Sequence, residues 1–367
     1  SFMKNRRHNQ LVEIGNNHRR KRDNKIQEFL NNYKNLITKD RINEIIKLDA
    51  SNLLKEIHSG KISSFEATLS YCLQSADDGV KNHWITEVLF EEALQQAKKV
   101  DEKIKQKIPL LPLEGLPISI KDCFKVKGHF TTIGLLSYAE EKNKDGSYKF
   151  LATDDSLLTK VLKEKGAIIF VKTNTPQNMI SVESSNNLWG PSRNPWNKNK
   201  SCGGSSGGEG GIVAGYCSPV GIGTDIGGSI RIPAGYCGIY GFKPTSQRVS
   251  KKNSCGINGT SYSPNLSIIT SLGPMARSSE DILLITRNLF GCFGDDVYTN
   301  NTPFNQHNFE NFVPEKQNKS SPSPKKIKIG FISKMYYCNI APEILEEMDS
   351  IRKKLIEKGY ECVEFEE

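Results

Sequence analysis

Hydrophobic residues change their spacing along this chain, and the changes mark its organisation. Between residues 40 and 104 they recur at helical intervals, with Phe65, Leu69, Cys72, Leu73 and Ala76 on one helix face. Ser63-Ser64-Phe65-Glu66 precedes that stripe and reads as a capping box, where a serine oxygen and the glutamate three residues on satisfy the first free amides. From Gly115 the period shortens to two, and Leu116, Ile118 and Ile120 alternate as in a strand. Asp154 and Asp155 then stand as caps before a helix carrying Leu157, Leu158, Val161 and Leu162. Gly166 ends it, and 167–171 is an apolar run of strand length. That is a strand–helix–strand unit of the kind parallel sheets use. A second unit predicts a helix over 212–216 and a strand over 220–224.

A further helix is predicted over 279–289. Residues 295–325 are rich in Asn, Pro, Ser and Lys without a period, and read as a long surface loop. A strand over 327–331, a helix over 342–358 and a strand from Cys362 follow. The last strand begins as the sequence stops, so the expected sheet lacks its C-terminal part. Two regions result: a helical arm over 1–40, and one α/β domain over 41–367 with the polar loop inside it.

Composition refines this picture in three places. The chain has 367 residues, 37% hydrophobic and 25% charged, which suits a folded domain with a large core. No run of eighteen apolar residues and no charged-then-apolar leader occurs in it. The net charge is +9, and residues 1–34 hold nine basic and three acidic side chains, so six of the nine charges sit in the arm. The remainder is nearly balanced, which argues against a nucleic-acid-binding body. The arm reads as a solvated basic helix or as a segment drawn to an anionic membrane surface. The nine cysteines are scattered, with no Cys-x-x-Cys pair, as expected of free thiols in a reducing intracellular compartment rather than of a disulfide frame or zinc site. The six histidines avoid the glycine-rich centre, where only His129 comes near, and it reads as structural.

That centre holds the candidate chemistry. Residues 201–211 read Ser-Cys-Gly-Gly-Ser-Ser-Gly-Gly-Glu-Gly-Gly. No Lys follows these glycines as a P-loop requires, and Gly221-Ile-Gly-Thr-Asp-Ile226 fails the dinucleotide fingerprint at its last position. Gly203-x-Ser205-x-Gly207 and Gly204-x-Ser206-x-Gly208 match a nucleophile-elbow pattern, but no strand precedes them and the only later histidine is His307, in the polar loop. Residues 223–234 read Gly-Thr-Asp-Ile-Gly-Gly-Ser-Ile-Arg-Ile-Pro-Ala and place Ser229 at a second glycine turn near a helix start. There the successive N–H groups of Ile226, Gly227, Gly228 and Ser229 suit a developing oxyanion. Lys121 closes the strand that begins near Pro117.

With these residues in place, the sequence resembles the amidase signature family. The matching segments are Gly115-Leu-Pro-Ile-Ser-Ile-Lys-Asp122, Asn194-Pro-Trp196, Gly203-Gly-Ser-Ser-Gly-Gly-Glu209, Gly223-Thr-Asp-Ile-Gly-Gly-Ser-Ile-Arg231 and Gly241-Phe-Lys-Pro-Thr245, in the family's order, and the resemblance runs from about Gly60 onward. Within the family the chain is most similar to the fatty-acid amide hydrolases, through Val171-Lys-Thr-Asn-Thr-Pro-Gln177, the Gly-Gly-Glu at 207–209 and Ser271-Leu-Gly-Pro-Met-Ala-Arg277. The resemblance implies the amidase signature fold, a large mixed sheet with helices on both faces. It implies Ser229 as nucleophile, Ser205 as bridging serine after a cis peptide from Gly204, and Lys121 as base. Ser206, Thr224, Asp225 and Arg231 are expected to support the two turns. Met179, Ile180 and Val182 stand where those hydrolases line an acyl channel; Ile180 and Val182 replace aromatic residues there, which bears on its width. A lipid amide substrate, no cofactor or metal, a homodimer and attachment to the cytosolic face of an endomembrane complete the expectation.

The residue chemistry agrees without the name. Serine needs an adjacent base, and lysine is the best candidate where histidine is absent. A free lysine has a pKa of about 10.4, and bringing it to about 7–8 takes roughly 4 kcal/mol of bias toward the neutral amine, which burial and nearby N–H dipoles supply. Two other readings share these residues. One is the glutaminase subunit of a tRNA-dependent amidotransferase; the other is a non-catalytic scaffold with an amidase-like fold.

Overall fold

The computed structural model describes residues 2–256, 268–307, 309, 328–336 and 339–365, with side chains from residue 11 onward. Contacts divide the chain into two compact units, Ser1–Phe304 and Asn305–Glu367. The expected arm at 1–40 thus belongs to the first unit, and the expected 41–367 domain divides within its polar loop.

The first unit opens with α1 (Phe2–Tyr33), α2 (Lys39–Lys47), α3 (Ala50–His58), and α4 (Ser64–Gln74), which runs on as a π-helical turn over Ser75–Gly79. The capping box forms as read, because Ser63 Oγ accepts from Glu66 N at 2.9 Å. The basic arm is not a detached tail. Ile26 and Phe29 of α1 join the main core, and Arg22 is buried, donating to Ile85 O at 2.7 Å. Arg20, Lys21 and Lys25 face solvent. No described helix is long and apolar enough to cross a membrane.

A six-stranded mixed sheet follows. In chain order its strands are β1 (Ile85–Val88), β2 (Pro117–Lys121), β3 (Ile168–Thr173), β6 (Val220–Asp225), β7 (Tyr240–Gly241) and β8 (Ser271–Ala276). They lie side by side as β1-β3-β2-β6-β8-β7. Strands β3, β2 and β6 run parallel, and β1, β8 and β7 pair antiparallel to their neighbours. β2, β3, β6 and β8 are buried at every position. The alternation read at 116–120 therefore does not separate a dry face from a wet one; both faces are covered, as in parallel sheets generally. The short strands β4 (Ser185–Asn186) and β5 (Gly190–Pro191) form a separate hairpin.

Three sequence expectations change. The strand β1 sits inside the helical region, just before α5 (Phe90–Lys105), and four residues are too few to show a period. After α6 (Leu136–Glu140), the helix α7 (Leu157–Glu164) is capped by Ser156, whose Oγ accepts from Thr159 N at 3.3 Å, not by Asp154 or Asp155. Asp155 instead accepts from Lys127 N and pairs with Lys163 at 2.8 Å. The helix read at 212–216 is α8 (Gly207–Ala214), which starts five residues earlier, inside the glycine run. Glycine disfavours a helix interior, but here packing prevails: a Cβ on Gly211 would lie 2.2 Å from Trp84 Nε1. α9 (Arg231–Cys237) and α10 (Ser279–Leu289) complete the unit, the latter as predicted. Arg277 ties it together, donating to Ile46 O, Leu48 O and Ser218 O at 2.7–3.0 Å.

The second unit is a β9 (Lys328–Phe331), α11 (Pro342–Glu357), β10 (Glu361–Glu364) element whose two strands pair in parallel, close to the predicted bounds. Much of the expected loop at 295–325 lies outside the described residues.

The Gly211–Trp84 contact is testable. The indole of Trp84 is buried and donates to Arg193 O at 2.7 Å, so it has little freedom to move aside. Gly211→Ala is expected to cost about 1–3 kcal/mol by overpacking. Urea unfolding should show a lower midpoint at unchanged slope; an unchanged midpoint would refute the packing argument.

Candidate active site

Lys121 ends β2 with its side chain wholly buried. Its Nζ donates to Ser205 Oγ and to Thr224 Oγ1, each at 2.7 Å. No described carboxylate pairs with it. Burial pushes its pKa down to about 8, while the carboxyls of Asp225 and Glu209 pull the other way. The amine is thus poised to exist in both forms near neutrality, as a general base must.

Its neighbour in space, Lys172 on β3, is arranged in the opposite manner. Lys172 Nζ meets Asp122 Oδ1 at 2.9 Å with both side chains fully buried, and also donates to Thr131 Oγ1 and Phe130 O. Strand period explains the division. Lys121 lies opposite Thr173 in the β2–β3 register, so Asp122 and Lys172, each one residue away from that pair, project to the other face. Asp122 is therefore the partner of a second buried lysine, a contact the sequence reading did not anticipate.

Ser205 stands in the glycine loop before α8, and the Gly204–Ser205 peptide is cis, as the resemblance implied. Glycine at 204 reflects crowding: a Cβ there would lie 2.6 Å from Ser181 O and 2.8 Å from Glu183 N. Ser184, another residue missed in the sequence, holds the loop from below. Its Oγ donates to Ser205 O at 3.2 Å and accepts from Gly207 N at 2.9 Å. Ser206 is a loop hydrogen-bonder, donating to Thr224 O and accepting from Thr224 N, both at 3.3 Å.

Ser229 is half-buried on the turn between β6 and α9. Asp225 builds that turn. Its carboxylate accepts from the amides of Gly228 (2.9 Å), Ile230 (3.1 Å) and Arg231 (3.3 Å), and from the Arg231 guanidinium at 2.9 and 3.0 Å. Burial would raise its pKa, but the Arg231 side chain and these amides outweigh it and hold Asp225 at about 2. Gly228 takes φ +117°, a conformation suited to glycine. Ser229 O accepts from Ser206 N at 3.1 Å, which fastens the two serine turns together.

The expected oxyanion set changes here. The Gly228 N–H is committed to Asp225, leaving Ile226, Gly227 and Ser229, whose amides have no protein partner among the described residues. Ile226 and Gly227 are exposed and Ser229 is half-buried.

The expected channel residues divide. Met179 packs against the core, whereas Ile180 and Val182 are 71% and 65% exposed. Ile180 and Val182 form an apolar surface rather than an enclosed wall, on a segment whose backbone abuts Gly204. His129 lies between Glu87 and Glu92 at 3.6 and 3.5 Å.

The model of the family described as Amidase matches residues 67–367. The chain belongs to the amidase family. It is 35% identical over 295 residues to the acetamidase of Emericella nidulans, covering 80% of this chain and 50% of that protein. It is 36% identical over 323 residues to fatty-acid amide hydrolase 1 of Sus scrofa, covering 88% of this chain and 50% of that protein. A solved structure of a fatty acid amide hydrolase superposes with a TM-score of 0.79 at 26% identity, covering 97% of this chain and 62% of that one. The chain thus spans half the length of those two amidase relatives.

The lysine's burial has a measurable cost. Its folded pKa of about 8 lies below the ordinary lysine value of 10.5, so the unfolded chain binds the extra proton between those values and stability rises with pH across that window. Lys121→Met is expected to stabilise the protein by on the order of 1–3 kcal/mol below pH 8, with the gain shrinking toward pH 10.5. Urea midpoints of both proteins at several pH values check this. A gain independent of pH would mean that the ammonium's burial is not the cause.

Proposed function

We propose that this amidase-family chain carries the active site of a serine hydrolase acting on linear carboxamides, with fatty-acid amides, either N-acylethanolamines or primary amides, as substrates. The observation that carries the reading is a buried, carboxylate-free Lys121 bonded at 2.7 Å to Ser205, on a loop fastened to the turn of Ser229. Neutral Lys121 takes a proton from Ser205 Oγ as Ser205 takes one from Ser229 Oγ. Ser229 then attacks the carbonyl carbon, and the oxygen that gains charge meets the amides of Ile226, Gly227 and Ser229. The C–N bond breaks as the proton returns through Ser205 to the leaving nitrogen. An amide needs that step, because an amine anion leaves poorly. Water hydrolyses the acyl-Ser229 ester, releasing the acid and regenerating the serine.

Three observations support the acyl part of the reading. Ile180 and Val182 place apolar surface on the segment that abuts Gly204, which suits a lipid chain. The likeness to fatty-acid amide hydrolase 1 favours the same substrate class. Arg20, Lys21 and Lys25 on the exposed side of α1 would bring the molecule to an anionic membrane surface, where such substrates reside. A second reading, a hydrolase of short amides, is favoured by the nearly equal identity to the acetamidase.

A fluorophosphonate probe followed by peptide mapping tests the nucleophile. Labelling is expected at Ser229 and should vanish in Ser229→Ala; Lys121→Ala should slow it by about 10²–10⁴-fold. Labelling at Ser205, or labelling that survives Ser229→Ala, refutes the assignment. Relative kcat/KM for oleamide and acetamide separates the two substrate classes, and a preference for acetamide would overturn the lipid reading.

A further inference from the structure

One buried acid near Lys121 has no part in the proton relay. Glu209 is fully buried in the first turn of α8. Its Oε2 accepts from Ser119 Oγ on β2 and its Oε1 from Thr173 Oγ1 on β3, each at 2.7 Å. Ser119 is two residues before Lys121 on the same strand, and Thr173 is the register partner of Lys121. The carboxyl therefore sits on the same sheet face as the lysine, one step along the strands, bridging β2 and β3. β6 closes over it as well, since a Cβ on Gly221 would stand 1.7 Å from Oε2. The helix that carries this acid also begins directly after Ser205 and Ser206.

We propose that Glu209 is a positioning residue for Lys121: its carboxyl pins the strand pair that presents the amine and sustains the amine's proton affinity against burial. The inference builds on the hydrolase reading of Lys121. A lysine buried with no counter-charge can fall to a pKa of about 5–6, which makes a weak base. Of the ionisable groups that act on Lys121, Asp225 on β6 is held at about 2 and so carries a constant charge near neutrality. The thiol of Cys123, two residues beyond β2, is pushed up to about 11 by burial and stays neutral near neutrality. Glu209 on α8, pushed up to about 8 by its own burial and opposed by the Ser119 and Thr173 hydroxyls and by Lys121, is the group that titrates together with the amine. As Glu209 ionises over the range in which the amine titrates, its charge holds the proton on Lys121, and without it burial draws Lys121 further down.

Glu209→Gln keeps the shape and removes the charge. With the full chain, two readouts apply: the pH dependence of fluorophosphonate labelling at Ser229, and the titration of Lys121 followed by its ¹³Cε resonance. Both are expected to move to lower pH, with a several-fold lower labelling rate at the plateau because the base is weaker. A titration that stays in place in folded Glu209→Gln overturns the proposal and leaves Glu209 a structural brace. If that variant does not fold, Lys121→Met decides: the ¹³Cδ titration of Glu209 must rise relative to the unaltered chain, and an unmoved titration overturns the coupling. The resonance titrations do not need turnover. Absence of label at Ser229 would therefore fail the hydrolase reading alone, and an unmoved Lys121 titration would fail this one alone.

Discussion

An amine withdrawn from water without a carboxylate partner is the constraint around which this molecule is arranged. Lys121 reaches only hydroxyls, those of Ser205 and Thr224. A carboxylate at ion-pair distance would fix it as an ammonium. Each nearby acid is accordingly engaged elsewhere. Asp122 goes to Lys172 across the sheet, Asp225 to Arg231 and the turn amides, and Glu209 to the hydroxyls of Ser119 and Thr173. The period of a strand makes the first separation, and the burial of all three strand ends makes the others enforceable.

The glycines follow from the same requirement. Bringing Ser205 to a buried lysine means threading a loop past the 181–183 segment, and only a residue without Cβ fits at 204. The same closeness explains α8, which is helical through a run of glycines because its backbone packs directly on Trp84 and Asn174. Low intrinsic propensity is outweighed by contact that a larger residue would abolish. Rigidity at the site thus comes from close packing of backbone, and the two serine turns share it through the Ser206–Ser229 hydrogen bond.

Local signals were legible where a single segment decides its own state. The Ser63 cap, the strand ending at Lys121, the helix over Ser279–Leu289 and the parallel pair around α7 all form as read. Signals failed where a distant partner decides. Asp154 and Asp155 look like caps, yet Asp155 is drawn off by Lys127 and Lys163, and Ser156 caps instead. β8 contains Gly273 and Pro274, which argue against a strand, and it nevertheless pairs with β6 along six residues. Gly228 looked like one of four equivalent amides until Asp225 was seen to claim it.

By itself the sequence determined the residue types of the candidate site: one lysine at a strand end, two serines on glycine turns and no histidine to rival them. It also determined the family, because ordered motifs over most of the chain leave little freedom. Tertiary structure decided which of those groups is charged, which amide is free and which acid meets which lysine. Those properties depend on burial and on distances between β2, β3, β6 and α8, and residues 84 to 103 positions apart meet there. No local pattern encodes such a meeting, and the proton affinity of Lys121 exists only once it has occurred.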